Sequence, residues 1–211
     1  MNKSFRLSLL LALCVAGLLQ ACIPLVAVGV GGGVAATIDR RTYGEQVMDT
    51  EIQHRFNRQF PSALEAKTNA SATVFNRWVL LTGQAMDEQS RAEVEALARS
   101  IPNVREVFNE LSIAYPASFT SRSGDTLLTS KVKARLFDSP LVAGTQVKVS
   151  SESGIVYLMG LLTEAEANAA VDIARTTAGA RKVVNMIEII TPEQAQARTV
   201  AQPPAAEQSA E

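Results

Sequence analysis

An internal repeat limits what this chain can fold into more than any other feature. Residues 79–113 recur at 156–189, and Val79-Leu80-Leu81-Thr82-Gly83 corresponds to Val156-Tyr157-Leu158-Met159-Gly160. The two copies lie further apart than the roughly 20–50 residues that separate the units of a solenoid. The repeat therefore predicts one small domain present twice.

Both copies predict the same order of elements, αββαβ. Each begins with a helical stripe of apolar residues four positions apart, namely Met48, Ile52, Phe56 and Phe60, then Leu128, Val132 and Leu136. Two alternating strands then meet in a tight turn at Asn76-Arg77 or Ser151-Glu152-Ser153-Gly154. A second helix begins after Asp87 or Thr163, and a last strand, parallel to its neighbour, closes the unit. The predicted fold class is α+β: two tandem αββαβ sandwiches, each a three-stranded mixed sheet with two helices on one face.

Composition divides the chain into a first domain at 43–114, a linker at 115–124 and a second domain at 125–190. Domains of about 70 residues have marginal cores, so we expect the two to pack together. Residues 191–211 are rich in Ala, Gln, Glu and Pro and predict a disordered tail that the fold does not need.

The N-terminus is typical of an exported protein. A basic start and an apolar run from Leu7 to Leu19 predict a secretory signal peptide over residues 1–21. The run closes on Leu19-Gln20-Ala21-Cys22, which resembles the bacterial lipobox. That resemblance implies cleavage before Cys22 and lipidation of its sulfur, and Ile23 in the next position implies delivery to the outer membrane. The alternative is an ordinary secreted protein in which the cysteine has no role.

Residues 22–42 are predicted to be a lipidated, glycine-rich tether. Four glycines fall between positions 29 and 33, but a dinucleotide loop requires a preceding strand, and here the run adjoins the anchor. The other cysteine, Cys14, lies in the segment predicted to be removed. The mature chain should therefore contain neither a disulfide nor a thiolate metal site.

Catalytic and nucleic-acid functions find little support. The sequence contains no HExxH, GxSxG or Walker motif, and its one histidine, His54, falls on the polar side of the first helix. The formal net charge is −1, whereas phosphate-backbone binding requires a basic stripe. We therefore expect no enzyme activity, no cofactor, no metal and no nucleic-acid partner. Trp78 is expected to pack in the core or between the domains.

The pattern of the repeat resembles the BON domain. It has a hairpin ending in Val-x-Leu-x-Gly, an alanine-rich helix and a closing Gly-x-x-x-Val-x-Asn, and the resemblance covers about Tyr43 to Ile190. Two such domains behind a lipobox are similar to a family of lipid-binding outer-membrane lipoproteins that face the periplasm. The resemblance implies a role in outer-membrane integrity, cell division and the remodelling of septal peptidoglycan.

The first helix of the second copy is the candidate lipid-binding site. Its residues considered for lipid contact are Leu127, Leu128, Ser130, Lys131, Lys133, Ala134 and Arg135. An exposed Leu127 one turn before Lys131 suits an anionic membrane surface. Spacing alone favours the other interpretation, an ordinary amphipathic helix with a solvated basic face. The resemblance implies binding of phosphatidylglycerol and cardiolipin here, weakened because the family has Trp where this chain has Leu127.

Two functions follow as hypotheses. In the first, the anchored protein recognises anionic phospholipid through its second domain and collects where that lipid collects, such as the division site. In the second, exposed faces of the sheets make it an adaptor for envelope proteins, such as the outer-membrane assembly machinery or regulators of cell-wall amidases.

Overall fold

The computed structural model describes residues 39–115 and 119–200. For residues 119–122 and 200 it describes the backbone alone. The predicted signal peptide, the predicted lipidation residue Cys22 and the glycine-rich stretch lie outside the described residues, as does the tail beyond residue 200. Among the helices that are described, none is both long and apolar enough to cross a bilayer.

The first domain has the predicted αββαβ order with one short extra helix. Its elements are α1 (Tyr43–Gln59), α2 (Ser62–Glu65), β1 (Thr68–Phe75), β2 (Trp78–Ala85), α3 (Glu88–Ser100), β3 (Glu106–Asn109) and β4 (Ser112–Ile113). Strand β1 pairs antiparallel with β2, and β3 and β4 both pair parallel with β2. The predicted last strand is therefore present in two pieces, interrupted at residues 110–111.

The second domain repeats this plan and adds a C-terminal helix. Its elements are α4 (Phe119–Phe137), a 3₁₀ turn (Gly144–Gln146), β5 (Val147–Glu152), β6 (Ile155–Leu162), α5 (Glu164–Arg175), β7 (Lys182–Ile189) and α6 (Pro192–Val200). The sheet is mixed, with β5 antiparallel and β7 parallel to the central β6. The predicted fold class is confirmed in both domains. The linker is shorter than predicted, since α4 already begins at Phe119.

A buried aspartate on the first helix holds the hairpin turn in each domain. In the first domain, Asp49 accepts hydrogen bonds from the backbone N–H groups of Asn76 and Arg77, both at 2.7 Å. In the second, Asp125 accepts the corresponding bonds at the Ser153-Gly154 turn, both at 2.8 Å. All four turn residues have positive φ, as tight turns require. The second turn is shorter than predicted, because Ser151 and Glu152 belong to β5. The two aspartates thus tie helix to sheet at equivalent positions.

The two sheets pack against each other through the faces that their helices leave uncovered. Side chains alternate along a strand, so in β6 Val156 and Leu158 enter the domain's own core, while Tyr157 and Met159 point the other way. The second set joins residues of both domains in one interdomain core: Phe75, Leu80, Tyr157, Met159, Leu161, Met186, Ile190 and Ala195. The two domains therefore pack as expected. The prediction that these sheet faces are exposed is wrong.

Part of the predicted disordered tail is helical. Within α6, Ala195 is buried in the interdomain core. Arg198 donates hydrogen bonds to the carbonyl of Arg40 and the carboxylate of Glu45, both at 3.3 Å. A polar, alanine-rich segment cannot form a core of its own. Here it has only to cover the edge of the interdomain core, which residues of both domains already form. Prediction of disorder was therefore wrong over residues 192–200.

The segment entering the first domain is also fixed in place, although it was predicted to belong to the tether. Arg40 makes two hydrogen bonds to the Glu166 carboxylate, at 2.7 and 2.8 Å, and one to the Leu161 carbonyl at 3.0 Å. Arg41 binds Asp49 at 2.6 Å. One arginine thus binds the second domain and its neighbour binds the first, which joins the chain entry to both.

The Arg40–Glu166 contact makes this joint sensitive to acid. Burial opposes ionisation of Glu166, but hydrogen bonds from Arg40 and Thr163 outweigh it and hold its pKa below the ordinary value. A lowered folded-state pKa contributes stability above the unfolded pKa of about 4.5, and that contribution is lost as the pH falls through the folded value. We expect the thermal midpoints of wild type and Glu166→Gln to differ at pH 7 and to converge as the pH falls below the folded-state pKa of Glu166. An undiminished difference at low pH would contradict this account.

Candidate functional site

Helix α4 divides its side chains between the core and the solvent. Leu128, Val132 and Leu136 are almost completely buried against the sheet of the second domain. On the other side Leu127 is 57% exposed, and Ser130 and Ala134 are exposed with it. Leu127 is therefore available to a ligand, as predicted, whereas Leu128 belongs to the core and cannot contact a membrane surface.

Two further apolar residues extend this exposed side. Phe137 is 60% exposed at the end of α4, and Leu141 is 69% exposed just beyond it. Ten residues of helix separate Leu127 from Phe137, or roughly 15 Å. Sequence reasoning missed this extension, although the spacing of 127, 130, 134 and 137 is helical and could have revealed it. We call Leu127, Ser130, Ala134, Phe137 and Leu141 the outer stripe.

Two lysines flank the outer stripe. At 100° per residue, Lys131 and Lys133 project to opposite sides of α4. Both are exposed, and neither has a hydrogen bond or ion pair to another residue that the structure describes. Free ammonium groups on either side of an apolar ridge are suited to contact anionic groups spread over a surface.

Arg135 has a structural role instead. Its guanidinium donates to the Ile173 carbonyl at 2.7 Å and to the Thr177 and Thr176 hydroxyls at 2.8 and 3.1 Å. These contacts tie α4 to the C-terminal end of α5. Of the seven residues predicted for the lipid site, the structure therefore brings five to the surface in usable form and assigns Leu128 and Arg135 to the fold.

The equivalent helix of the first domain has a different surface. Superposing the repeat through Asp49 and Asp125 places Glu51 at the position of Leu127 and Arg55 at that of Lys131. Glu51 accepts a hydrogen bond from Arg55 at 2.9 Å, so the cation is already neutralised. The same scaffold thus has a satisfied ion pair in one copy and an exposed leucine beside a free lysine in the other.

The described side chains that could act in catalysis or bind a metal do not gather into one site. His54 is exposed on α1. Trp78 is half-buried beside the interdomain core, with its ring centroid 5.3 Å from that of Phe108. Over residues 39–115 and 119–200, no group of three His, Cys, Asp or Glu side chains is placed to hold a metal ion. The most distinctive surface in the described chain is therefore the outer stripe with its lysines.

Comparison with known proteins gives the family. The family model described as BON domain matches twice, at residues 48–115 and 124–191. The chain belongs to the BON-domain family. Outer membrane lipoprotein DolP of Haemophilus influenzae is 36% identical over 176 residues, which cover 82% of this chain and 90% of that protein. With two BON domains and this likeness, the chain is an outer-membrane lipoprotein of the same type.

Two other relatives share less of the chain. The 21 kDa hemolysin of Actinobacillus pleuropneumoniae is 31% identical and covers 72% of this chain and 80% of its own. Osmotically-inducible protein Y of Escherichia coli is 29% identical, with 56% of this chain and 60% of its own covered. Relatives of this chain thus have quite different names, so its function has to be argued from its own surface.

Proposed function

We propose that this lipoprotein, anchored through Cys22, binds anionic phospholipid with helix α4 of its second BON domain. The observation that carries the proposal is the outer stripe flanked by two free lysines. A helix with this arrangement lies along a membrane, with its apolar ridge below the headgroups and its cations among the phosphates.

The energies are sufficient for a peripheral contact. Each lysine near an anionic surface contributes about 1 kcal/mol, and each buried methylene of the ridge about 0.8 kcal/mol. Leu127 lacks the interfacial preference of the indole found in the family, but Phe137 and Leu141 add apolar surface at the far end of the helix. Two apolar contacts roughly 15 Å apart also hold α4 parallel to the membrane.

In this proposal the protein acts by adhesion, and no bond is made or broken. Its Cys22 anchor holds it at the outer membrane, and α4 concentrates it where phosphatidylglycerol or cardiolipin collects, such as the division site. Support for outer-membrane integrity would follow from that position.

The adaptor hypothesis loses the surface on which it depended. It assigned partner binding to exposed sheet faces, but Leu80, Tyr157 and Met159 are at most 1% exposed in the interdomain core. An assembly factor or amidase regulator would need to bind elsewhere, and no other described surface favours one.

A flotation assay tests the proposal with the mature chain from residue 22 carrying Cys22→Ser. We expect it to float with vesicles containing phosphatidylglycerol and not with pure phosphatidylcholine. The double variant Leu127→Glu/Lys131→Glu should lower the bound fraction at least about tenfold, since it removes one lysine contact, introduces repulsion and deletes an inserted side chain. Shorter fragments should keep Arg40 and Arg41, because both are bound into the domains.

A charge swap on the first domain provides the matched control. Glu51→Arg/Arg55→Glu exchanges the members of an existing ion pair on the equivalent helix, so its flotation should equal that of wild type. Equal flotation of the α4 double variant and wild type would remove α4 as the site.

A further inference from the structure

A cleft beside α4 provides more than a surface for lipid contact. It has a volume of about 270 Å³ and lies between Leu128 and Lys131 of α4, the Ser153-Gly154 hairpin turn, and Gly179 and Arg181 after α5. We infer that this cleft receives the phosphate of the bound lipid headgroup, with Lys131 and Arg181 as its cationic walls. The inference rests on the proposed function and names a residue outside α4.

The cleft offers hydrogen-bond donors that the fold does not use. Lys131 has no partner among the described residues, and Arg181 uses one nitrogen of its guanidinium to hold the Ser153 carbonyl. The backbone N–H groups of Ala178 and Gly179, which line the same cleft, donate to no other described residue. Two cations and two free amides form a donor set suited to the oxygens of a phosphate.

The one acidic residue in the cleft is already satisfied. Asp125 lies at its edge and is 8% exposed. Its two carboxylate oxygens accept separate hydrogen bonds, one from Ser153 and one from Gly154. Asp125 therefore stabilises the wall of the cleft, and the balance of charge among the lining residues remains positive.

Glycine keeps the cleft open. Gly154 has a φ of +75°, and a Cβ at this position would lie 2.6 Å from Nε of Arg181. The absence of a side chain therefore lets Arg181 cross the turn towards Lys131. Gly179 has a φ of +107°, which disfavours a side chain, and a Cβ added there would lie 3.6 Å from a methyl group of Leu128. Both positions thus bring main chain close to the space that the phosphate would fill.

The residues of the first domain that correspond to the lining of this cleft differ in ways that remove its free cations. Arg77 stands where the second domain has Gly154, so a long side chain replaces the open turn. Arg105, at the position of Arg181, pairs with Glu188 at 3.2 Å. Arg55, at the position of Lys131, pairs with Glu51. Both cations of the second-domain cleft, Lys131 and Arg181, thus correspond to arginines that are ion-paired in the first domain, so the inferred selectivity belongs to one copy of the repeat.

The size of the cleft favours a small headgroup. Its 270 Å³ falls at the small end of the roughly 300–1,000 Å³ range of ligand pockets. A glycerol phosphate fits such a volume, while the acyl chains would pass over the rim towards the exposed Leu127. We therefore assign the ligand as the phosphoglycerol headgroup of a membrane lipid.

Nuclear magnetic resonance tests the inference on the full lipidated chain in neutral maltoside micelles. Micelles doped with phosphatidylglycerol should shift the amide signals of Leu127 and Phe137 and also those of Gly154 and Gly179. Arg181→Gln should weaken the apparent affinity about tenfold, because one charge-assisted contact is lost. Arg175→Gln is the matched control: Arg175 is exposed, pairs with Asp172 on α5 and does not line the cleft, so its affinity should be that of wild type.

Three outcomes would overturn the inference about the cleft. Each can be distinguished from the result that would refute the proposed function. If Leu127 and Phe137 shift while Gly154 and Gly179 do not, α4 binds lipid without the cleft. If micelles doped to the same charge with oleate, a carboxylate, shift the glycines equally, the cleft does not select phosphate. If soluble glycerol 3-phosphate alone saturates the glycine shifts at the same concentration, the ligand is not a lipid. Absence of any shift at Leu127 and Phe137 would instead refute the proposed function.

Discussion

Replacing Gly83 with alanine is expected to unfold the first BON domain. Gly83 lies in β2 with a φ of +115°, a conformation that side chains rarely tolerate. A Cβ there would lie 3.0 Å from the carbonyl carbon of Asn69 on β1, and closer still to its oxygen. Neither strand can withdraw, because Asn69 and Ala70 are paired in register with β2. We expect a loss of about 4 kcal/mol or more in the free energy of unfolding.

Urea denaturation followed by circular dichroism would measure this loss, and Gly44→Ala provides a control of opposite sign. Gly44 lies in the first turn of α1 with nothing within 4 Å of an added Cβ. Alanine there should stabilise the protein by about 0.5–1 kcal/mol, since it reduces the backbone entropy lost on folding. The account of Gly83 would be wrong if Gly83→Ala remained within 1 kcal/mol of wild type.

Asp49→Ala is expected to have the second-largest effect, about 3–5 kcal/mol. Asp49 is 4% exposed and is bound by two backbone N–H groups of the Asn76-Arg77 turn and by the guanidinium of Arg41. Removing the carboxylate leaves two donors of a tight turn without their acceptor and takes one of two carboxylate partners from Arg41, which stays paired with Asp39. Arg41 also contacts the ring of Phe75, 4.1 Å from its centroid, so the disturbance reaches the interdomain core.

The equivalent aspartate of the second domain, Asp125, provides a comparison for the loss in unfolding free energy. Asp125 holds the equivalent turn with two N–H bonds but forms no ion pair with Arg40 or Arg41, so Asp125→Ala should cost less, about 2–3 kcal/mol. Asp49→Asn keeps one accepting oxygen and should fall between wild type and Asp49→Ala. Equal losses for Asp49→Ala and Asp125→Ala would show that the Arg41 ion pair adds nothing to stability.

Local patterns were sufficient for the elements of each domain. The capping residues Asp87 and Thr163 begin their helices as predicted, because a cap needs only neighbours within one turn. Leu127 was correctly expected at the surface, since helical periodicity alone separates it from the buried stripe.

Contacts between distant segments could not be predicted in this way. Asp49 and Asp125 are ordinary helix residues in the sequence, and their role becomes visible only when the hairpin turn folds back on them. Arg135 was counted as a lipid contact because its charge is evident from the sequence and its acceptors on α5 are not. The cleft at Arg181 is formed by three segments that no spacing rule brings together.

The sequence by itself determined that one αββαβ unit occurs twice, where the second helix of each unit begins, and which helix face is apolar. These properties depend on periodicity and on residues a few positions apart. Only the tertiary structure decided that the two sheets bury their open faces against each other and that α6 and Arg40 complete that core. It also decided that Lys131 has no ion-pair partner among the described residues, while its counterpart Arg55 is paired with Glu51. Such outcomes depend on which surfaces meet in space, and a linear pattern does not record this.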